Sequence, residues 1–266
     1  DALSLSRTVR TAGLAAKAAP TKRAGHAKTL AKQYAERATP TMVISASGDG
    51  GYNEVINGVL SSDKPRTVTG VLPSGNANDH YHALHHGDTV KRIIKNDTDD
   101  IDVLRMSRGR TVRYAHSYIG LGMTPQIGAA LTEERPNRLQ EILLVMRHIG
   151  KIRPVKIRVN GRIHRYDHLV FSNIQRMSKV LKVDRGNISD GKFEVIGSRQ
   201  GSLTTLLKHL FQAASKGVVP VKQSSEYTFT VLSRPITVQL DGEVVTIQKG
   251  TQVTVTCLQQ SLKTIV

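Results

Sequence analysis

Apolar and polar positions follow two different patterns along this chain, and the pattern changes near residue 103. Before that point, short apolar runs such as 42–44 and 67–72 lead into polar glycine turns and then into apolar residues at helical spacing. Repeated strand–helix order of this kind predicts an open α/β layer with a parallel sheet. The predicted elements are a weak helix or polar lead-in over 1–21, helices over 25–38, from the first turn to about Leu60 and up to His86, and a third strand at 101–106.

Beyond residue 103 the strands alternate apolar with polar residues, which is typical of an antiparallel sheet with one solvated face. Asn160-Gly161 is a strong hairpin signal. Strands are predicted at 110–118, 153–159, 163–172, 193–196, 227–233, 236–240 and 252–258, with helices at 137–149 and 202–214. The sequence therefore predicts a second, mainly antiparallel β-domain.

Charge changes the picture more than any other bulk property. The formal net charge is +17 and the isoelectric point is near 10.2, which implies an anionic partner. Trp is absent and aromatic residues make up only 4% of the chain, which argues against a base-stacking platform for nucleic acid. No apolar run approaches the roughly 20 residues of a membrane span, and the single Cys257 fits a reducing cytoplasm. We therefore expect a cytoplasmic, peripherally membrane-associated protein.

The stretch 45–58 carries the strongest candidate chemistry. Glycines at 48, 50 and 51 remove Cβ atoms where a phosphate would approach, and they open a helix whose N–H groups favour an anion. Asp49, among those amides, is suited to orient a hydroxyl or to reach a phosphate-bound metal ion. The alternative is a tight turn with a capping Asp.

Four motifs in order resemble the diacylglycerol kinase catalytic family. Residues 47–58 resemble its Gly/Ser-Gly-Asp-Gly-x-x-Asn/His-Glu-Val-x-Asn-Gly signature, and 73–79 resemble Pro-x-Gly-Thr-x-Asn-Asp. Residues 188–193 are similar to its Leu-x-Asp-Gly segment, and 240–243 to its Asp-Gly-Glu motif. The order and spacing of all four fit, so the resemblance covers roughly residue 21 to the end.

The resemblance implies a Rossmann-like nucleotide-binding α/β domain over 1–103 and a β-sandwich lipid-substrate domain over 104–266. It implies a lipid kinase that uses ATP and Mg²⁺ to phosphorylate a diacylglycerol-like or sphingoid hydroxyl at an anionic membrane surface. It leaves open whether the protein forms a homodimer. Asp49 or Glu243 would be the general base. Asp190, with main-chain oxygens near Asn187 and Lys192, would bind a structural metal ion. The nucleotide-binding residues would be Ser47, Gly48, Asp49, Gly50, Gly51, Asn53, Glu54, Gly75, Asn76, Asn78 and Asp79.

Some features depart from the family pattern or have a simpler explanation. The family's first strand and its Asn-Pro-x-Ser-Gly loop have no counterpart before Thr21, and Gly51 and Asn76 each stand where the family often has Thr. Two alternative functions stay open: a kinase of the related NAD kinase type, or an inactive basic module for membrane or nucleic acid.

The histidines at 80, 82, 85 and 86 are expected on a solvent-facing helix rather than at a metal. The basic run over 147–165 is either a solvated strand face or a landing surface for anionic lipid.

Overall fold

A computed structural model describes residues 2–62, 67–84, 87–125, 140, 143, 153–177, 181–183, 186–199, 201, 217–218 and 220–266. The chain divides into two compact units, Asp1–Ile101 with Gln260–Val266, and Asp102–Gln259. Within the described ranges, no helix combines the length and the apolar composition needed to span a bilayer. The predicted assignment of nucleotide binding to 1–103 and of lipid binding to 104–266 concerns function as well as boundaries, and it stays a prediction.

The first unit is an α/β layer built on a short parallel sheet. Strands β1 and β2 are parallel, and the C-terminal end of β15 pairs parallel to β2 through Thr264 and Thr69. Val9, Ile93 and Ile265 form an apolar cluster in this unit. The elements up to the end of β3 are α1 (Ala2–Thr11), α2 (His26–Ala35), β1 (Met42–Ser47), α3 (Asp49–Val59), β2 (Val68–Pro73), α4 (Asp79–Leu84), α5 (Thr89–Lys95) and β3 (Thr98–Arg108).

Helices α2 and α3 pack so closely that the contact requires a glycine. A Cβ on Gly58 would lie 2.3 Å from the carbonyl oxygen of Lys28 and 2.8 Å from the Cβ of Ala31. The Asn57-Gly58 end of the sequence motif therefore serves helix packing.

The second unit is an antiparallel β structure with an extensive core. Its strands follow the order β15–β12–β6–β7–β5–β13–β14, while β10 joins β7 and β11, and β3 joins β4 and β15. Phe171 lies at the centre of the core, with its ring next to those of Phe193, Tyr227 and Phe229. The remaining strands are β4 (Thr111–Ala115), β5 (Tyr118–Gly122), β6 (Val155–Val159), β7 (Arg162–Ser172), β8 (Arg176–Met177), β9 (Leu181–Lys182), β10 (Phe193–Arg199), β11 (Lys222–Ser224), β12 (Glu226–Val231), β13 (Ile236–Leu240), β14 (Glu243–Ile247) and β15 (Gln252–Ile265).

The predicted class, an α/β layer followed by an antiparallel β structure, is confirmed, and so is the hairpin turn at Asn160-Gly161, where both residues have positive φ. The prediction that the third strand belongs to the parallel sheet was wrong. Strand β3 forms a hairpin with β4 through Gly109, whereas β2 takes its second parallel neighbour from β15, where Thr264 pairs with Thr69, 195 residues earlier in the chain. Local patterns carry no signal for so distant a partner. Residues 137–149, apart from the helical Gln140 and Leu143, and residues 202–214 lie outside the described residues.

Candidate nucleotide-phosphate site

The two glycine turns meet at the carboxyl ends of neighbouring parallel strands. Ser47 and Pro73 are register partners at the ends of β1 and β2, and the Ser74 N–H donates to the Ser47 carbonyl at 3.1 Å. A Cβ on Gly48 would lie 2.9 Å from the Cα of Gly75, and a Cβ on Gly75 would lie 2.5 Å from the Cα of Gly48. The turns are therefore in direct backbone contact, which only glycine at both positions allows.

Asn78 holds the second turn in shape. Its backbone has φ of 50°, and its side-chain oxygen accepts from the Gly75 N–H at 2.9 Å. Its side-chain nitrogen donates to the Gly75 carbonyl at 3.0 Å. Because both ends of the amide are used inside the turn, Asn78 shapes this wall of the site rather than reaching out from it.

Asp49 joins the two turns. It is the first residue of α3, and its Oδ1 accepts from the backbone N–H of His80 at 3.1 Å, in the first turn of α4. Its Oδ2 makes no hydrogen bond to the described part of the chain. The side chain is half-buried, so this second oxygen can receive a ligand, a metal ion or a hydroxyl.

The amides that open α3 have no acceptor within the helix. The Tyr52 N–H donates to the Gly48 carbonyl at 3.1 Å and makes the first helical bond. The N–H groups of residues 49–51 precede that bond and lie at the positive end of the helix dipole. Backbone amides in this arrangement bind phosphate oxygens in many proteins.

Two buried rings, those of Tyr52 and His80, pack against each other in the helices that follow the two turns. Tyr52 is fully buried, and its hydroxyl lies 2.8 Å from both Thr69 Oγ1 and Thr264 Oγ1. Burial raises the pKa of Tyr52 to about 12, so it stays neutral. The His80 ring is 2% exposed and its centroid is 4.7 Å from that of Tyr52. The solvent-facing prediction was therefore wrong for His80, although His82 is exposed, and positions 85 and 86 lie outside the described residues.

Ser47 and Gly51 pack against each other at the start of the first turn. The Ser47 hydroxyl lies 2.7 Å from Ser45 Oγ and 3.0 Å from the carbonyl oxygen of Gly48. A Cβ on Gly51 would lie 2.6 Å from both the Cβ and the Oγ of Ser47. The family's Thr at position 51 would therefore require a shift of the backbone at the start of α3, because no rotamer of Ser47 moves its Cβ away. Gly50, between them, is half-buried.

Two polar residues of the signature are used inside the protein. Asn53 is buried, and its Oδ1 accepts from Asn57 Nδ2 at 3.0 Å within α3. The Glu54 carboxylate accepts from the N–H of Gly25 at 2.7 Å through Oε1 and from that of Ala27 at 3.1 Å through Oε2. Glu54 therefore caps the N-terminus of α2, a contact across 27 to 29 residues. Among the other predicted residues, Asp79 is buried and Asn76 is half-buried.

In the second unit, the Asp-Gly-Glu motif is held by its first residue. Asp241 is fully buried with φ of 48°, and its carboxylate accepts from the N–H groups of His116 at 2.6 Å, Ser117 at 3.1 Å and Tyr118 at 2.8 Å. His116 Nε2 lies 3.3 Å from Asp241 Oδ2. Glu243 begins β14 with its side chain exposed. The anchoring contacts join residues 116–118 to 241, so sequence spacing could not have revealed them.

The predicted metal loop over 187–192 is held by a residue that sequence reasoning missed. Asp190 Oδ1 accepts from the Lys192 N–H at 3.0 Å, and Asn187 Oδ1 accepts from the Ser189 N–H at 3.1 Å. The fully buried Asp102 accepts from the Gly191 N–H at 2.6 Å and donates its own N–H to the Ile188 carbonyl at 2.7 Å. In the described part of the chain, no three His, Cys, Asp or Glu side chains are arranged to hold a metal ion. A site that also uses main-chain oxygens stays a prediction.

Known proteins resemble this chain in both sequence and fold. The diacylglycerol kinase catalytic domain family matches residues 2–106. A diacylglycerol kinase of Staphylococcus haemolyticus is 30% identical over 223 residues, which are 77% of this chain and 64% of that protein. A diacylglycerol kinase of Staphylococcus aureus (strain JH9) is 27% identical over 225 residues, 77% of this chain and 67% of that protein. The match to the first of these relatives thus spans less than two thirds of its length.

Solved structures support the same fold. A diacylglycerol kinase from Bacillus anthracis superposes with a TM-score of 0.67 over 92% of this chain and 83% of its own, at 18% identity. A second Bacillus anthracis structure reaches a TM-score of 0.74 over 99% of this chain and 90% of its own, at 16% identity. Residues 2–106 of this chain are thus similar to the diacylglycerol kinase catalytic domain family, and the fold of the chain is that of the solved diacylglycerol kinase structures.

Proposed function

We propose that this chain is an ATP-dependent lipid kinase that transfers the γ-phosphate of ATP to a lipid hydroxyl. One observation carries the proposal above all others. Two glycine turns, each at the end of a parallel strand, touch at Gly48 and Gly75 and are joined by the Asp49 carboxylate. Crevices beyond the carboxyl ends of parallel strands are the usual ligand sites of open α/β sheets.

The residues of the first unit fit the triphosphate of ATP. The absence of Cβ atoms at Gly48 and Gly75 lets the two turns meet, and the amides of residues 49–51 beside this contact are available to donate to phosphate oxygens. Ser47 directly precedes the first turn, and Asn76 follows Gly75 in the second turn. Asn78 holds the second turn through its hydrogen bonds to Gly75, and the buried Asp79 begins α4 directly after it. Asn53 and Glu54 act indirectly, by fixing α3 and the helix that packs on it.

Mg²⁺ fits the same site through Asp49. A half-buried carboxylate with one oxygen held by the His80 N–H and the other available is a suitable hard-oxygen ligand. When bound, the ion would neutralise charge on the phosphates during transfer. The chain's own contribution is to hold the carboxylate and the amides in fixed positions.

The attacking hydroxyl needs a base, and two carboxylates are candidates. Glu243 is exposed at the start of β14, on a turn fixed by Asp241. Asp49 is the alternative, through the same oxygen that would bind the metal. We assign the acceptor to the diacylglycerol-like or sphingoid lipids, and we infer peripheral association with an anionic membrane from the net charge of +17.

The decisive experiment measures transfer of labelled phosphate from ATP to dioctanoylglycerol or sphingosine in neutral detergent micelles with Mg²⁺. Asp49→Asn keeps an oxygen for the His80 N–H but removes the charge, so we expect activity to fall roughly 10²- to 10³-fold with the melting temperature nearly unchanged. Asp99→Asn, at an exposed residue, is the matched control. Wild-type enzyme without transfer to either lipid, or Asp49→Asn with normal activity, would contradict the proposal.

Two further arms refine the assignment. Glu243→Gln, paired with the exposed Glu226→Gln, tests the base: we expect a loss of at least 10²-fold for Glu243→Gln alone if Glu243 accepts the proton. An assay with NAD as the phosphate acceptor tests the alternative NAD kinase activity. The Asn53–Gly58 segment does not separate these acceptors, because its polar residues bind within the first unit.

A further inference from the structure

One face of the β6–β7 hairpin carries a compact group of cations around an exposed isoleucine. Lys156 is the register partner of Arg165, and Arg158 is the partner of Ile163. Residues directly opposite each other in an antiparallel pair share a face, as do residues two apart on one strand. Lys156, Arg158, Ile163 and Arg165 therefore form one continuous surface, which we call the hairpin patch.

The hairpin patch is accessible and strongly positive. Arg158 and Arg165 are exposed, Lys156 is half-buried, and the Ile163 side chain is 54% exposed. None of the three cations makes an ion pair within the described part of the chain. Residues 155–166 contain four Lys or Arg and no acidic residue. The one acidic residue on these two strands, Asp167, is buried beyond Arg165, accepts from the Gly201 N–H at 3.2 Å and makes no ion pair within the described residues.

The patch is also held rigidly, and the nearest carboxylate on the adjoining strand is some distance away. Val155 and Ile157 point from the opposite face of β6 into the core. Thr230 of β12 is the register partner of Arg158, and the first acidic residue on that face of β12 is Glu226, four residues away. At about 3.3 Å per residue this separation is roughly 13 Å. An approaching anionic surface would thus meet the cations first.

We propose that the hairpin patch is the surface by which this protein docks on an anionic lipid bilayer. The proposal rests on the lipid kinase function above and names its membrane contact. Lys156, Arg158 and Arg165 lie in the plane of the lipid phosphates, and Ile163 enters the boundary between headgroups and acyl chains. A nucleic acid fits less well, because the patch presents an apolar side chain at its centre and no aromatic ring for base stacking; Tyr166 lies on the other face, opposite Val155.

The test is vesicle co-sedimentation of the full chain without ATP. Vesicles of phosphatidylcholine are compared with vesicles that contain about one-third phosphatidylglycerol, at low and high salt. The Lys156→Gln/Arg158→Gln/Arg165→Gln variant should bind the anionic vesicles about a hundredfold more weakly, since each cation near such a surface contributes about fivefold. The matched control is Lys17→Gln/Lys22→Gln/Lys95→Gln, which removes equal charge from exposed sites and should change binding less than about threefold.

Ile163→Ser separates insertion from simple charge attraction. We expect about tenfold weaker binding with the salt dependence kept, because the cations remain. Equal losses in both triple variants, or no loss in the hairpin variant, would overturn the proposal. Binding to a DNA duplex that depends on the patch, without binding to anionic vesicles, would also overturn it and would identify nucleic acid as the partner.

The outcome can be told apart from failure of the kinase assignment. Kinase activity in neutral detergent micelles needs no anionic surface, so the hairpin variant should keep normal activity there while it loses vesicle binding. An inactive protein that still docks through the patch would contradict the kinase function alone.

Discussion

The Asp-Gly pairs at 49–50 and 241–242, which lie in different compact units, place the same dipeptide in opposite circumstances. Asp49 is half-buried and, within the described part of the chain, accepts one backbone hydrogen bond, from His80. Asp241 is fully buried and accepts three, from His116, Ser117 and Tyr118. The first carboxylate keeps an oxygen for a ligand, whereas the second has its charge taken up by the protein. Burial and the number of N–H donors, rather than the motif, separate a chemical role from an architectural one.

Alanine substitution of Asp49 and of Asp241 should give the largest difference between the two units. Asp241→Ala leaves the N–H groups of His116, Ser117 and Tyr118 without their acceptor, and we expect it to lower the free energy of unfolding by about 4 kcal/mol. Asp49→Ala removes one partly solvated bond and should cost about 1 kcal/mol. Urea denaturation measures both values. Similar losses for the two variants would show that Asp49 is as structural as Asp241.

The sequence predicted the first of these turns well and the second only in part. An apolar run, a glycine turn and helical spacing are all local, so β1, the turn and α3 follow directly from residues 42–60. The anchoring of Asp241 by residues 116–118 and the capping of α2 by Glu54 join segments far apart in the chain. Helix α5 was missed although its signals are local: Asp88 caps its start and Asn96, with φ of 53°, ends it. Its seven residues are too few to show a helical period.

Contact between the glycine turns should be nearly as sensitive as Asp241. Gly75→Ala would place a Cβ 2.5 Å from the Gly48 Cα, which forces the turns apart. We expect a loss of about 2 to 3 kcal/mol in stability and roughly 10²-fold in kinase activity, because the phosphate site depends on this contact. Calorimetry and the micelle assay measure the two effects.

Gly58→Ala is the informative companion to that variant. Its Cβ would also meet backbone, 2.3 Å from the Lys28 carbonyl, but between α2 and α3 rather than between the turns. We expect destabilisation with the activity of the folded fraction retained. If Gly58→Ala loses as much activity as Gly75→Ala at equal folded fraction, the turn contact has no special place in catalysis.

Glu54 distinguishes capping from ligand binding at a smaller scale. Glu54→Ala removes the acceptor for the Gly25 and Ala27 N–H groups and should lower stability by about 1 to 2 kcal/mol. The KM for ATP should change less than about threefold if the carboxylate only caps α2. Glu36→Ala, at the exposed ion pair with Lys32, should cost less than about 0.5 kcal/mol and serves as the control. A large rise in the KM for ATP would instead show that Glu54 takes part in nucleotide binding.

The smallest expected effect concerns a buried carboxyl group in the second unit. Burial raises the pKa of Glu194 above its ordinary value of 4.5, the hydrogen bond from Gln223 partly opposes the rise, and the nearby Asp190 charge adds to it. The folded state therefore binds this proton more tightly than the unfolded state. Its contribution to stability is complete below about pH 4.5 and is lost as the pH rises through the folded pKa.

Glu194→Gln tests this contribution because glutamine keeps an oxygen for Gln223 and cannot ionise. We expect its melting temperature, taken relative to the wild type, to rise by a few degrees between pH 4 and pH 8. Glu226→Gln, at an exposed position on β12, should show no such trend. A constant difference between Glu194→Gln and wild type across that range would mean that the Glu194 proton does not distinguish the folded from the unfolded chain. The surroundings of Glu194 would then compensate for its burial. The contrast between the half-buried Asp49 and the buried carboxyl groups of the second unit would rest on Asp241 alone.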